Sequence, residues 1–281
     1  DLLLVIGTRI NYVVSQLAPP RFHADAKLIQ VDVDASEIGH NRPADVGIVG
    51  DAQAVLRQLL AACDGQVDPH RFRGWREHLQ QVEASKREQA EAAMSTDDVP
   101  IHPLRLCKEV RDFIDRDAVL CVDGQEILNY GRQSIPTFVA RHRLNSGPFG
   151  TMGVGLPFGL GAKVAKPDTQ VVVLHGDGSF GLNAMELDTA VRHNIPVLTV
   201  ISLNGGWTAD PQRTKAGREL GYTAFHKMAE ALGCYGEQVE EPSGIRPALE
   251  RAAASGCPAV VNVVTDWRAR ATTQQFAVYS T

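Results

Sequence analysis

The chain has 281 residues, 44% of them apolar and 22% charged, a profile that suits two globular domains or one large α/β domain. A formal net charge of -5 argues against a nucleic-acid partner, and no apolar run approaches the roughly 18 residues of a membrane span, so neither nucleic acid nor membrane is expected. The five cysteines (Cys63, Cys107, Cys121, Cys234, Cys257) form no CxxC pair, which disfavours a disulfide framework or zinc site and suits a reducing cytoplasm; no signal peptide is recognisable.

The chain opens directly on an apolar run, Leu2 to Ile6, ending at Gly7, as a buried parallel strand would. Because termini are rarely placed inside such a strand, the chain reads as the downstream part of an interrupted or longer one. Lys27 to Val33 predicts a second strand and Val46 to Val49 a third. Asp51 then caps an amphipathic helix over Ala52 to Ala62. This much is expected to be part of a doubly wound sheet, half a domain, over residues 1–65. Residues 66–102 are charged, helical around Trp75 to Ala93, and read as a connector.

His102-Pro103 opens a helix over Leu104 to Ile114, followed by a strand at Ala118 to Val122. Strands are expected at Gln170 to Leu174, Val197 to Leu203 and Ala259 to Val264. Helices are expected at Ala184 to His193, Ala224 to Leu232 and Gly244 to Ala254. Such alternation predicts a second parallel sheet with right-handed crossovers over residues 103–264, giving an α/β fold with doubly wound parallel sheets. Residues 265–281 form a polar tail.

The chemistry concentrates in His175-Gly176-Asp177-Gly178-Ser179-Phe180 after one strand and Asn204-Gly205-Gly206-Trp207 after the next. The 25 residues between Gly178 and Asn204 hold one helix and one strand, so Asp177 and Asn204 fall at the C-terminal ends of two parallel strands. Open α/β sheets bind their ligands there. Asp177 offers a carboxylate oxygen, Asn204 an amide oxygen and Gly206 a carbonyl. With two phosphate oxygens and a water these complete an octahedral site for Mg²⁺. Gly176 and Gly178 let the backbone approach a diphosphate, and the amides of Gly178 and Ser179 can donate to it. A tight strand-to-helix turn is the plainer alternative for the GDG alone.

The GDG turn, this spacer and an asparagine after the next strand resemble the thiamine-diphosphate enzyme superfamily, whose signature ends in two asparagines. Here the first is Leu203, and the second, the family's metal ligand, aligns with Asn204. The resemblance makes residues 1–65 the C-terminal part of a middle, nucleotide-binding-like domain and 103–264 the domain that holds thiamine diphosphate and Mg²⁺. It also reaches Ser146 to Leu156, where a GTMG loop cradles the cofactor's aminopyrimidine. By that match Met152 is the apolar wedge that bends the cofactor, and the Gly150 carbonyl accepts from its 4′-amino group. Asp123-Gly124-Gln125-Glu126, at the end of the strand at 118–122, match a further diphosphate contact or a simple helix cap. Arg9 and Asp32 match positions where relatives bind a nucleotide such as ADP.

Arg141 to Gly147 followed by FGTMG is similar to a run in 2-hydroxyacyl-CoA lyases, with oxalyl-CoA decarboxylases next. The resemblance therefore implies a lyase cleaving 2-hydroxyacyl-CoA, reversibly, to formyl-CoA and an aldehyde or ketone. An oxalyl-CoA decarboxylase, an acetolactate-synthase-like carboligase and a non-catalytic nucleotide-binding homologue are the alternatives. An NAD-binding domain is disfavoured, since no GxGxxG follows the first strand. Trp207 is expected either to wall the substrate pocket or to pack in the core. Glu219 is a candidate acid/base or an exposed loop carboxylate. Arg268 and Arg270 would face coenzyme A phosphates if residues 265–281 close as a lid. The resemblance further implies a homodimer or homotetramer, and a pyrimidine-binding domain that supplies a glutamate and has no counterpart in this sequence. The chain alone is accordingly expected to be inactive.

Overall fold

The computed structural model describes residues 1–68, 70–207, 214 and 216–271. The described residues divide into two compact units, Asp1–Gln81 and Val82 to Ala271.

The first unit is a three-stranded parallel sheet in the order β1 (Leu2–Ile6), β2 (Lys27–Asp32), β3 (Val46–Val49). Its register sets Leu4 against Ile29 and Ile29 against Val46. Leu28 packs with Ile10 and Leu17 in a small core. The expected burial of the first strand on both faces is not observed, because Leu2 and Leu4 are 58% and 49% exposed. Helix α1 (Ala52–Cys63) begins where expected, the Asp51 side chain accepting from the Ala54 amide at 2.9 Å. Helix α2 (Arg73–Met94) leads on into the second unit, where Met94 joins the core.

The second unit opens with α3 (Pro103–Phe113), whose first turn is capped by the His102 ring. There follow β4 (Val119–Asp123), α4 (Glu126–Ser134), β5 (Arg143–Leu144), α5 (Gly155–Ala165), β6 (Val171–Gly176), α6 (Asp177–Asn183) and α7 (Glu186–Arg192). The chain continues through β7 (Leu198–Leu203), α8 (Phe225–Ala231), β8 (Tyr235–Val239), α9 (Pro242–Ala254) and β9 (Ala259–Val264). The strands form one parallel sheet in the order β5-β4-β6-β7-β9-β8.

Side chains alternate faces along each strand, so the near-continuous apolar strands feed two layers at once. Val122, Val172, Leu174, Val200 and Val261 meet Leu106 and Val110 of α3, Tyr130 of α4 and Leu249 of α9. On the opposite face Cys121, Val173 and Ile201 meet Leu156 of α5, Phe180 of α6 and Leu187 of α7. Each such side chain contributes roughly 1.5–3 kcal/mol on burial. Burial also pushes the thiols of Cys107 and Cys121 up to about 12, which makes them inert core residues.

Three elements differ from the sequence reading. The stretch between Asp177 and Asn204 holds two helices rather than one, because α6 starts at Asp177 itself. The edge strands β5 and β8 carry no apolar period, and neither is expected from the sequence. The topology places the site. From β4 the chain moves outward to β5, then crosses back to β6 on the other side of β4. The C-terminal ends of β4 and β6 therefore flank the crevice that such a reversal leaves open.

Candidate active site

Two aspartate–glycine pairs, Asp123-Gly124 and Asp177-Gly178, terminate β4 and β6. Asp177 is 5% exposed and stands at the first position of α6. Its Oδ1 accepts from the Gly178 amide and its Oδ2 from the Gly205 amide, both at 2.7 Å. One carboxylate thus joins the turn after β6 to the turn after β7. The Asn204 Oδ1 accepts from the Gly206 amide at 3.2 Å. Gly205 has φ +75°, a left-handed conformation that a side chain would strain. Gly124 has φ +119°, and a Cβ there would stand 3.2 Å from the Gly176 nitrogen.

These turns border an open cleft of about 700 Å³, lined by Gln125, Glu126, Met152, Gly176 to Ser179, Asn204, Gly206 and Trp207. Ten of the residues singled out in the sequence thus share one wall-to-wall surface. The Trp207 indole lies over Gly178, where a Cβ would come within 2.8 Å of two ring carbons. Of its two expected placements it takes the cleft wall.

The remaining candidates lie elsewhere. Gly150 is exposed and ends a short 3₁₀ turn with φ +64°. Glu219 is exposed and pairs backbone-to-backbone with Gly206, in a segment held by the Trp207 amide on the Arg218 carbonyl and the Leu220 amide on the Gly205 carbonyl. Arg268 is ion-paired with Asp266 at 2.9 Å. Burial works to raise the Asp266 carboxyl, but the hydrogen bonds from Arg268 hold it below its ordinary value. Arg270 donates to the carbonyls of Trp267 and Ala269. Neither arginine lines the cleft, and residues 272–281 of the expected lid lie outside the described residues. Arg9 stands 3.6 Å from Glu37, and Asp32 accepts from the Asp34 amide, both in the first unit. Nothing around them supports a bound ADP.

Sequence reasoning missed Arg218, Asp266 and Tyr130, which also line the cleft. The Arg218 guanidinium makes no ion pair with a described residue. Burial, with Glu126 nearby, pushes the Tyr130 phenol well above its ordinary value, so it stays protonated. His175, which heads the Gly176-Asp177-Gly178 motif but has no role in the sequence reading, is 1% exposed, and burial holds it down to about 4, so its ring is neutral near pH 7.

The donor set suits a hard cation with a diphosphate. Asp177, Asn204 and the Gly206 carbonyl offer oxygen alone, and among the described residues no cluster of three or more His, Cys, Asp or Glu makes a softer site. Gly176 leaves backbone uncrowded just before α6, whose first-turn amides favour an anion, whereas Gly178 is covered by the Trp207 indole and its amide is held by Asp177.

A parallel α/β sheet with an oxygen-donor, glycine-lined cleft at its switch point defines a cofactor-binding domain of the diphosphate-holding class. Comparison with known proteins gives the family. Residues 129–263 match the thiamine pyrophosphate enzyme C-terminal TPP-binding domain, and residues 1–59 match the central domain of the same enzymes. The chain belongs to the thiamine pyrophosphate enzyme family. It is 38% identical over 275 residues to a probable acetolactate synthase of Mycobacterium bovis, covering 95% of this chain and 49% of that protein. It is 34% identical over 288 residues to a 2-hydroxyacyl-CoA lyase of Arabidopsis thaliana, with 95% and 49% covered. Against an oxalyl-CoA decarboxylase of Escherichia coli it is 30% identical over 278 residues, with 95% and 48% covered. The chain spans about half the length of these relatives.

Proposed function

We propose that this chain holds thiamine diphosphate through Mg²⁺, and that the enzyme decarboxylates a 2-oxo acid and joins its acyl carbon to a second carbonyl. The observation that carries the substrate choice is Arg218, a cleft cation without a described acidic partner, while Arg268 and Arg270 are engaged by Asp266 and by backbone carbonyls. A guanidinium in that position matches a substrate carboxylate in charge and shape. The 38% identity to a protein named a probable acetolactate synthase agrees.

When bound, the cofactor supplies an electron sink beside the reacting carbon. The chain's own residues do the rest. Asp177, Asn204 and the Gly206 carbonyl hold the metal, and the Ser179 amide, in the first turn of α6, donates to the diphosphate, the Gly178 amide being taken by Asp177. Met152 presents an apolar surface at the cleft, Trp207 shields it from water, and Arg218 orients the substrate carboxylate.

The second reading is the 2-hydroxyacyl-CoA lyase, favoured by the RHRLNSG-x-FGTMG stretch and by the relatives of that name at 34% identity. The holoenzyme given pyruvate, a 2-hydroxyacyl-CoA and oxalyl-CoA in parallel separates the two. Acetolactate and CO₂ from pyruvate are expected. Formyl-CoA from the hydroxyacyl thioester, with pyruvate untouched, would replace the first reading by the second.

A further inference from the structure

Helix α5 has no capping side chain of its own, since its N-cap residue is Val154. Its first amide, Gly155, instead donates to Asp123 Oδ2 at 2.8 Å, from a residue 32 positions upstream at the end of β4. The other oxygen of that carboxylate accepts from Gly124 at 2.7 Å, and the Asp123 carbonyl stands 3.1 Å from the Ser179 hydroxyl. His175 closes the group, with Nδ1 at 3.0 Å from Ser179 Oγ and 3.9 Å from Asp123 Oδ2. Asp123 and His175 are 4% and 1% exposed. The fit leaves no slack, because a Cβ on Gly155 would stand 2.7 Å from the Asp123 Cβ and from both Cε1 and Nε2 of His175. On the other side of the loop, Asn183 of α6 donates to the Gly153 carbonyl at 2.7 Å.

The group therefore ties three things together: the turn after β4, the start of α6, and the loop that carries Met152 three residues before Gly155. An aspartate supplied from another strand caps α5 and complements its dipole, which a local cap would do without any link to the cofactor turn. We infer that Asp123, backed by His175, is a positioning residue that fixes the Met152 loop relative to the Asp177 turn. Loss of the tie leaves the metal and diphosphate groups in place and lets the apolar wall drift. A drift of about 1 Å in a positioning group is enough to cost roughly 100-fold in rate. The inference rests on the thiamine-diphosphate reading of the cleft and deepens it.

Asp123→Asn keeps the volume but leaves one acceptor oxygen for two amides, and it is tested in the holoenzyme. The expected result is a split: kcat falls by tenfold or more, about the scale of a lost positioning contact, while the Kd for thiamine diphosphate with Mg²⁺ stays within about threefold. A parallel loss of both would make Asp123 part of the clamp, and no change in either would make it idle; both outcomes overturn the inference. If the variant does not fold, amide hydrogen exchange on the wild-type protein decides. Amides of residues 153–156 exchanging as slowly as those of β4 and β6 support the tie, and exchange at the rate of an exposed loop overturns it. Failure of the wild-type protein to bind thiamine diphosphate in the same calorimetry would sink the reading of the cleft instead, and the exchange measurement, which needs no cofactor, still judges the tie.

Discussion

Asp177 illustrates how much one side chain can hold. Its two oxygens accept from the amides of Gly178 and Gly205, so the carboxylate sets the spacing of the turns after β6 and β7 before any ligand arrives. The same oxygens retain lone pairs for a cation, since an ionised carboxylate has about four acceptor sites. Asp177→Ala removes both functions. We expect Mg²⁺-dependent binding of thiamine diphosphate to weaken by more than roughly 100-fold, the upper end of what a merely supporting ligand costs. Calorimetry at fixed cofactor with varied Mg²⁺ measures it, and unchanged affinity would refute the clamp. At this scale the site was legible wherever its residues are contiguous: Gly176 to Ser179 and Asn204 to Trp207 read directly from their spacing. The contact between Asp123 and Gly155 did not, because it joins residues far apart in sequence, and neither residue type announces it.

Among the elements, strands with near-continuous apolar runs were readable and the edge strands were not. In β8 only Val239 is buried, while Glu237 is half-buried and Gln238 exposed, as suits polar residues at a sheet margin. The start of α6 was hidden for a different reason. Asp-Gly-Ser-Phe-Gly has poor intrinsic helix propensity, and Phe180, buried at 1% exposure against the sheet, overrides it. Edge strand β8 is also fastened by charge. Glu237 pairs with Arg251 of α9 and accepts from the Tyr235 hydroxyl. The Arg251 guanidinium is the first reason that the Glu237 carboxyl titrates below its ordinary value; burial opposes it. A carboxyl depressed in the folded state adds stability above its unfolded pKa and loses it as pH falls through the folded value. Glu237→Gln should therefore lower Tm at pH 7 by a few degrees, a difference that closes as both proteins are taken well below the carboxylate range. Melting curves at the two pH values check it, and an equal deficit at both would mean that the effect is packing rather than charge.

For the molecule as a whole, charge bears on both proposed substrates, since a 2-oxo acid and a coenzyme A thioester are both anions. The protein carries a formal net charge of -5, and the cleft itself holds Glu126, Asp177 and Asp266. An anionic substrate needs a local cation at such a cleft, so on the proposed 2-oxo acid reading binding depends on Arg218. The fold was open to sequence reading, but this cation was not, since the residues that line the cleft with it come from the ends of β4, β6 and β7, the Met152 loop and the segment after β9. Arg218→Gln should raise KM for pyruvate by about tenfold with a smaller change in kcat, the signature of a lost ground-state charge contact. Added salt should raise KM in the wild-type protein and much less in the variant, because screening acts on the contact that the variant lacks. Arg268→Gln with Arg270→Gln should leave KM for pyruvate near its wild-type value, as both guanidinium groups are spent on Asp266 and on backbone carbonyls. The opposite pattern decides for the coenzyme A thioester: an unchanged KM for pyruvate in Arg218→Gln, together with a raised KM for 2-hydroxyacyl-CoA in the double variant, means that the tail arginines leave their internal partners for the nucleotide phosphates and that the lyase reading is the right one.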